Sequence, residues 1–294
     1  MSEEYKAHKA CLVCGNTNLN PIALFEKDYL VKCGNCGFVF CLRIPTMGEL
    51  NETYSKYGRN DYLSPITIMR YNELLDKMEP LRKNNRLIDV GCGIGYFLDV
   101  AKQRGWEVYG TEYTDNAIEI CTKKGIKMQQ GALDSKNYEP GYFDVVTSFE
   151  VMEHINNPNI EVEHFNKILR PGGLLYITTP NFNGFSRHIA KADWNIVNYP
   201  EHLSYYTPKT IKWLMNLHGF KTKKILTTGV SITRIKTSLK ISDQKYISPT
   251  SDDEKIRNAF EKNPFMGSVK KGLNGILSML GKGDSLKAYF EKSV

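Results

Sequence analysis

Asp89-Val90-Gly91-Cys92-Gly93-Ile94-Gly95 stands where a short apolar run, Leu87 to Val90, hands over to a helix-periodic stretch, Phe97 to Arg104. Three glycines at alternate positions let the backbone turn tightly and leave no Cβ to block an approaching ligand. The helix that follows presents unpaired N–H groups to a carboxylate or similar anion. Such a bend suits a nucleotide-like ligand. Glu112, 21 residues beyond Gly91, ends the next strand, where a carboxylate can accept from both hydroxyls of a ribose.

Working outward, the chain alternates in the βαβ manner. Strands are expected near Leu87 to Val90, Glu107 to Gly110, Lys127 to Gln130, Asp144 to Phe149 and Leu174 to Thr178, with helices such as Asn116 to Lys123 between them. Pro171-Gly172-Gly173 predicts a turn immediately before the fifth strand. Pro208 to Leu217 predicts a helix capped by Thr207, and residues 220 to 230 and 285 to 292 predict two closing strands. The expected architecture is α/β, a Rossmann-like sheet of seven strands with helices on both faces, over residues 86 to 294. A basic helical insertion at about 235 to 283 includes a stripe of Met266, Val269, Leu273, Ile276, Leu277 and Leu280. That stripe fits a helix packed on the domain, a lid, or a helix that docks on a membrane surface or a protein.

The glycine bend, Glu112, Phe143-Asp144-Val145-Val146, Val151-Met152-Glu153-His154 and Leu169-Arg170-Pro171-Gly172-Gly173 occur in an order and spacing that resembles the class I S-adenosylmethionine-dependent methyltransferases. The resemblance covers about a third of the chain, Leu87 to about Asn181. It implies that Gly91, Gly93 and Gly95 surround the methionine end of S-adenosylmethionine, that Asp89 orients the loop or the amine, and that Glu112 holds the ribose. Phe149 or Glu150 would line the cofactor. Many relatives carry an acidic residue soon after the third strand; here Gly131-Ala132-Leu133-Asp134 displaces it, so the Leu133 backbone or Asp134 takes that place. NAD is disfavoured, because its fingerprint needs Gly or Ala where Tyr96 stands.

Four of the seven cysteines form two knuckles, Cys11-x-x-Cys14 and Cys33-x-x-Cys36, with zinc-ribbon spacing. Four thiolates complete a tetrahedron with no open position, so the expected ion is a structural zinc holding residues 1 to 45, a segment with no hydrophobic core of its own. Cys41, Cys92 and Cys121 are expected to be small buried residues. Residues 46 to 85 read as a helical linker and possible lid. The segment Cys33 to Met47 resembles ribbons fused to methyltransferases of bacterial sugar and cell-surface polysaccharide pathways; ribbons also precede some RNA methyltransferases.

Tyr199-Pro200-Glu201-His202 follows the fifth strand, at the sheet edge where the donor methyl points. It resembles the catalytic loop of zinc-containing sugar C-methyltransferases. The resemblance implies His202 as base, Glu201 as its orienting or polarising partner and Tyr199 as a substrate contact; His202 packing the loop is the alternative. Glu153-His154 reads as structural or as cofactor wall, and Trp194 and Tyr206 as substrate-stacking or core.

Composition sets limits on the rest. The Met1 to Lys6 start is charged and eighteen apolar residues nowhere run together, so a soluble cytoplasmic protein is expected. Residues 209 to 294 hold 17 Lys and Arg against 7 Asp and Glu, so the net +7 is concentrated there. The two resemblances imply a small-molecule acceptor as partner, with a sugar, nucleotide-sugar or polysaccharide end group first. RNA comes second, and a non-catalytic cofactor-binding scaffold third. Acceptor, methylated atom and oligomeric state are not encoded legibly.

Overall fold

The computed structural model describes residues 5–55, 62–244, 248–262 and 264–293. Residues 56–61 of the expected linker, and 245–247 and 263 of the insertion, lie outside the described residues. At the N-terminus β1 (Leu19–Pro21), β2 (Leu30–Cys33) and β3 (Val39–Cys41) pair antiparallel, with Leu19 opposite Cys33 and Leu30 opposite Cys41. Two helices follow, α1 (Met47–Ser55) and α2 (Pro65–Met78), the second capped by the Ser64 hydroxyl. Ile66, Leu74, Leu75 and Met78 turn the buried face of α2 toward the large sheet.

The large sheet is built from β4 (Arg86–Val90), α3 (Tyr96–Gln103), β5 (Glu107–Glu112), α4 (Asp115–Lys123), β6 (Lys127–Gln130), β7 (Phe143–Phe149), α5 (Pro158–Ile168) and β8 (Leu169–Pro180). After α6 (Phe185–Ala190), β9 (Ser204–Tyr205) and α7 (Pro208–Leu217) come β10 (Phe220–Thr228), three helices α8 (Ile232–Ser238), α9 (Asp252–Lys262) and α10 (Pro264–Leu280), and β11 (Ser285–Lys292). Strand order is β10-β11-β8-β7-β4-β5-β6; only β11 runs against its neighbours. Phe143 to Ser148 are all buried, as a central strand covered on both faces requires.

Two expectations need correction, and a third, left open between packing, lid and docking, is narrowed. β8 begins at Leu169, not Leu174: Pro171-Gly172-Gly173 lies inside the strand, where pairing with β7 slips between Phe143 opposite Leu169 and Val145 opposite Leu174. A bulge absorbs the extra residues, so the turn chemistry produced an irregularity and not a break. Residues 1 to 45 do share a core. Cys11, Val13, Phe38 and Phe40 pack with Tyr206, Ile211 and Leu214, while Phe25, Leu30 and Val39 pack with Phe182, Trp194 and Leu203. The module covers its small apolar interior with residues from beyond β8. The α10 stripe, finally, is largely outside: Val269, Leu273, Ile276 and Leu280 are exposed. The helix docks instead through Asn274 Oδ1, the Leu277 carbonyl and Ser278 Oγ, which take Gly229 N–H, Thr227 O–H and Thr227 N–H.

β9 is the joint. Ser204 and Tyr205 pair with Phe40 and Val39, so a segment downstream of β8 becomes the fourth strand of the N-terminal sheet. Phe38 stacks on Phe40 (centroids 5.8 Å apart) and meets Tyr206 at 5.3 Å, all three fully buried. Trp194 and Tyr206 are therefore core residues, Trp194 donating to Ser186 Oγ at 3.0 Å. Among the described residues no helix is long and apolar enough to cross a membrane.

Phe38→Ala is expected to cost about 3–5 kcal/mol, read as a lower urea midpoint; a loss under about 1 kcal/mol would show that the joint does not carry stability. A second expectation concerns Glu161 on α5, 7% exposed, whose carboxyl burial pushes up to about 7. The fold prefers this group neutral, so its cost is absent below the unfolded value near 4.5 and grows as pH rises toward 7. Glu161→Gln should then stabilise at pH 8 by on the order of 2–3 kcal/mol and not at pH 4; equal midpoints at both pH values would contradict it.

Candidate functional site

At the β4–α3 bend Gly91, Gly93 and Gly95 have φ of 71°, 57° and 75°, the left-handed region that glycine enters without strain. Packing imposes the same choice: a Cβ on Gly95 would lie 2.6 Å from Ile126 Cδ1 and 2.9 Å from Cys121 Sγ. Cys92 and Cys121 are buried here, as expected. Glu112 ties the bend to the next strand. Its Oε2 accepts Gly93 N–H at 3.0 Å and its Oε1 accepts Tyr113 N–H at 2.8 Å. A carboxylate has about four acceptor sites, so lone pairs remain for ribose hydroxyls. Asp89 is buried and accepts Thr147 O–H at 2.8 Å.

The remaining cofactor-side residues are placed less openly. Leu133 is buried in the core, leaving only its backbone for a ligand, and Asp134 caps its own turn through Lys136 N–H at 2.9 Å. Phe149 packs against Phe97, Tyr71 and Tyr176. Glu150, directly after β7, has φ 53° and donates its N–H to the Thr178 carbonyl at 2.9 Å. Its side chain is reached by solvent, yet the surrounding chain raises its pKa.

Loops after β7 and β8 converge beside Glu150. His154 and His202 meet ring to ring at 4.8 Å, and Glu153, fully enclosed, accepts Thr179 O–H at 2.8 Å. His154 Nδ1 lies 2.8 Å from the Glu201 carbonyl and His202 Nδ1 2.6 Å from the Ile196 carbonyl. A carbonyl can only accept, so both Nδ1 atoms carry the proton and both Nε2 atoms keep a lone pair. Burial, then the proximity of the His154 ring, lowers His202 to about 4, and burial also lowers His154. Burial and then Glu150 push the Glu153 carboxyl well up. One donor atom from each of Glu153, His154 and His202 lies within 4.8 Å of the others, a makeup that can also take a divalent ion. His154, expected as a structural or cofactor-wall residue, thus meets His202 directly; two histidines after neighbouring strands of one sheet edge were the available signal.

The other members of the loop face the N-terminal module. Glu201 Oε1 stands 4.0 Å from His202 Nε2, and Asn198 Nδ2 donates to Glu201 Oε2 at 2.5 Å. Tyr199 packs on Tyr29 at 5.1 Å, under the Arg43 guanidinium at 5.2 Å; its buried hydroxyl has no hydrogen-bond partner among the described residues. Cys41 Sγ–H donates to the carbonyls of Asp28 and His202, each at 3.4 Å.

Cys11, Cys14, Cys33 and Cys36 come together, with 3.6 Å between Cys11 and Cys36 and between Cys14 and Cys33. Zinc–sulfur bonds of about 2.3 Å in a tetrahedron put sulfurs about 3.8 Å apart, so the cluster fits zinc. Burial raises Cys11 to about 11; at Cys14 burial is outweighed by the Asn16 N–H and Asn35 amide, which bring it to about 7. Two surface hollows lie elsewhere. One, about 400 Å³ among Pro140, Asn166, Lys167 and Lys292, sits at the opposite edge of the sheet; the other, about 370 Å³, lies between α7, β10 and α10.

A family profile described as a methyltransferase domain matches residues 66–225. A ubiquinone biosynthesis O-methyltransferase of Bordetella avium is 27% identical over 128 residues, 41% of this chain and 52% of that protein. One of Azoarcus is 30% identical over 105 residues, 33% and 45% respectively. The chain thus spans about half the length of these curated relatives. Among solved structures, an S-adenosylmethionine-dependent methyltransferase from Archaeoglobus fulgidus aligns with TM-score 0.50 at 17% identity, over 76% of this chain and 93% of that one. A putative sarcosine dimethylglycine methyltransferase from Galdieria sulphuraria aligns with TM-score 0.52 at 16% identity, over 77% and 85%. At such identities the structures show the fold alone.

Glu112→Ala removes the acceptor shared by Gly93 and the expected ribose. Affinity for S-adenosylmethionine, measured by calorimetry, should fall at least about tenfold; an unchanged value would remove Glu112 from the cofactor site.

Proposed function

The chain belongs to the methyltransferase-domain family, and we propose that it methylates a hydroxyl of a small molecule with S-adenosylmethionine as the donor. The acceptor class is a sugar or nucleotide-sugar component of cell-surface polysaccharide. One observation carries the reading: a neutral His202, its Nδ1–H committed to the Ile196 carbonyl, stands in the loop after β8 with Nε2 facing the Glu201 carboxylate at 4.0 Å and in no hydrogen bond among the described residues. The O-methyltransferase names of the relatives support oxygen as the acceptor atom, and the Tyr199-x-Glu201-His202 resemblance supports a sugar.

S-adenosylmethionine supplies an already activated methyl, so the chain's own task is alignment and removal of one proton. Gly91, Gly93, Gly95, Asp89 and Glu112 hold the cofactor, with Leu133, Asp134, Phe149 and Glu150 along its length. His202 Nε2 accepts the acceptor's hydroxyl proton. The Glu201 carboxylate favours the imidazolium that results, and Tyr199, packed on Tyr29 under Arg43, anchors the loop to the N-terminal module. Zinc on Cys11, Cys14, Cys33 and Cys36 is structural: residues 1–45 are the metal-held module, 46–85 the connecting lid and 86–294 the catalytic part. A second reading, in which Glu153, His154 and His202 hold a divalent ion beside the acceptor oxygen, rests on their mutual distances.

His202→Ala is expected to slow transfer at least about a hundredfold while S-adenosylmethionine still binds; near-normal turnover would remove it as base. Metal analysis separates the two readings. One zinc per chain, kept in His202→Ala and lost with Cys33→Ser, fits the first. A second ion lost on His202→Ala replaces it with the other.

A further inference from the structure

Phe149, Thr178 and Lys287 are register partners across β7, β8 and β11, so their side chains form one row at the edge where the donor methyl is delivered. The same Thr178 takes the Glu150 N–H on its carbonyl at 2.9 Å. Among the described residues Lys287 has no hydrogen-bond or ion-pair partner, although it is partly buried. Burial lowers its pKa, and Arg70, Arg257 and Lys77 add positive charge around it while Glu150 opposes them.

A second cation arrives from the insertion. Arg234 on α8 donates to Asn195 Oδ1 at 3.4 Å, one residue before the Ile196 carbonyl that fixes His202. Its charge acts on Glu150, Glu153 and His202. The helix is held there. Ser231 caps it, Asp253 of α9 binds Ile232 N–H at 2.9 Å, and α9 in turn clasps the start of α2 through Glu254 with Ser64 and Arg257 with Thr67.

We propose that Lys287 and Arg234 form a subsite for an anionic group of the acceptor, a phosphate or a carboxylate, placed on the side of Glu150 away from the glycine bend. A partly buried ammonium crowded by other cations, with only the Glu150 charge to offset them and no ion pair of its own, is costly; an acceptor that brings further counter-charge lowers the cost and is selected by it. The guanidinium fork of Arg234 gives the anion an orientation that an ammonium alone does not. This rests on the small-molecule reading above and narrows it: neutral acceptors are excluded, and the unexplained insertion becomes the part that chooses the substrate.

The test is titration of the S-adenosylhomocysteine-bound full chain with inorganic pyrophosphate and, separately, with benzoate, by calorimetry. Saturable binding of either, weakened at least about tenfold in Lys287→Gln and Arg234→Gln and retained in Lys287→Arg, supports the subsite. S-adenosylhomocysteine affinity in each variant serves as the folding control. Pyrophosphate as the preferred probe supports the nucleotide-sugar class as well. Benzoate as the preferred probe supports the subsite while overturning that class. Binding of neither, or binding indifferent to both substitutions, overturns the subsite and leaves the methyltransferase assignment standing.

Discussion

The loop that carries His202 is positioned by the two backbone groups of one residue. Leu203 donates its N–H to the Glu153 carbonyl at 2.7 Å and receives the Cys41 N–H on its own carbonyl at 2.9 Å. The first bond fixes the loop after β8 against the loop after β7, which sets His202 beside His154. The second fixes it to the N-terminal sheet. Backbone groups buried away from water must find partners, and here the partners come from three distant stretches of chain, so none of the three can shift alone.

Electrically the centre is quiet. His154 and His202 are neutral, and the Glu153 carboxyl is raised by its burial and by Glu150. A buried ensemble that carries little charge avoids the desolvation penalty that a set of ionised groups would incur. The protonatable atoms stay available because each ring is held by its other nitrogen. Orientation comes from backbone carbonyls, which do not titrate, so the geometry does not depend on the charge state it serves.

The glycine bend and the cysteine knuckles were legible because their determinants are local. Gly91 to Gly95, Glu112 and the knuckles at Cys11 and Cys33 occur at short, fixed spacings, and the alternation of buried runs from Leu87 onward marked the strands. The histidine pair and its supports were not. His202 drew notice through its neighbours Tyr199 and Glu201, but its contact with His154, the pairing of Ser204 with Phe40, and the meeting of Lys287 with Glu150 join residues with no common period or spacing. The Pro171-Gly172-Gly173 turn failed for a related reason: local chemistry favours a break, and ladder pairing on both sides of β8 keeps the strand going. The apolar interior of the N-terminal module went unseen because half of it, Tyr206, Leu203 and Ile211, is supplied from the far side of the large sheet.

The β3–β9 joint also has a history during synthesis. Cys41 and His202 are 161 positions apart, so at roughly 5–20 residues per second the ribosome needs on the order of ten to thirty seconds to deliver the fourth strand. Until then the edge of β3 is bare, with Phe38, Val39 and Phe40 uncovered, the kind of strand that recruits the wrong neighbour. Early filling of the cysteine cluster would keep that edge in a short, ordered hairpin while it waits, and in a metal-starved cell the nascent chain would be at its most aggregation-prone long before it could bind a methyl donor.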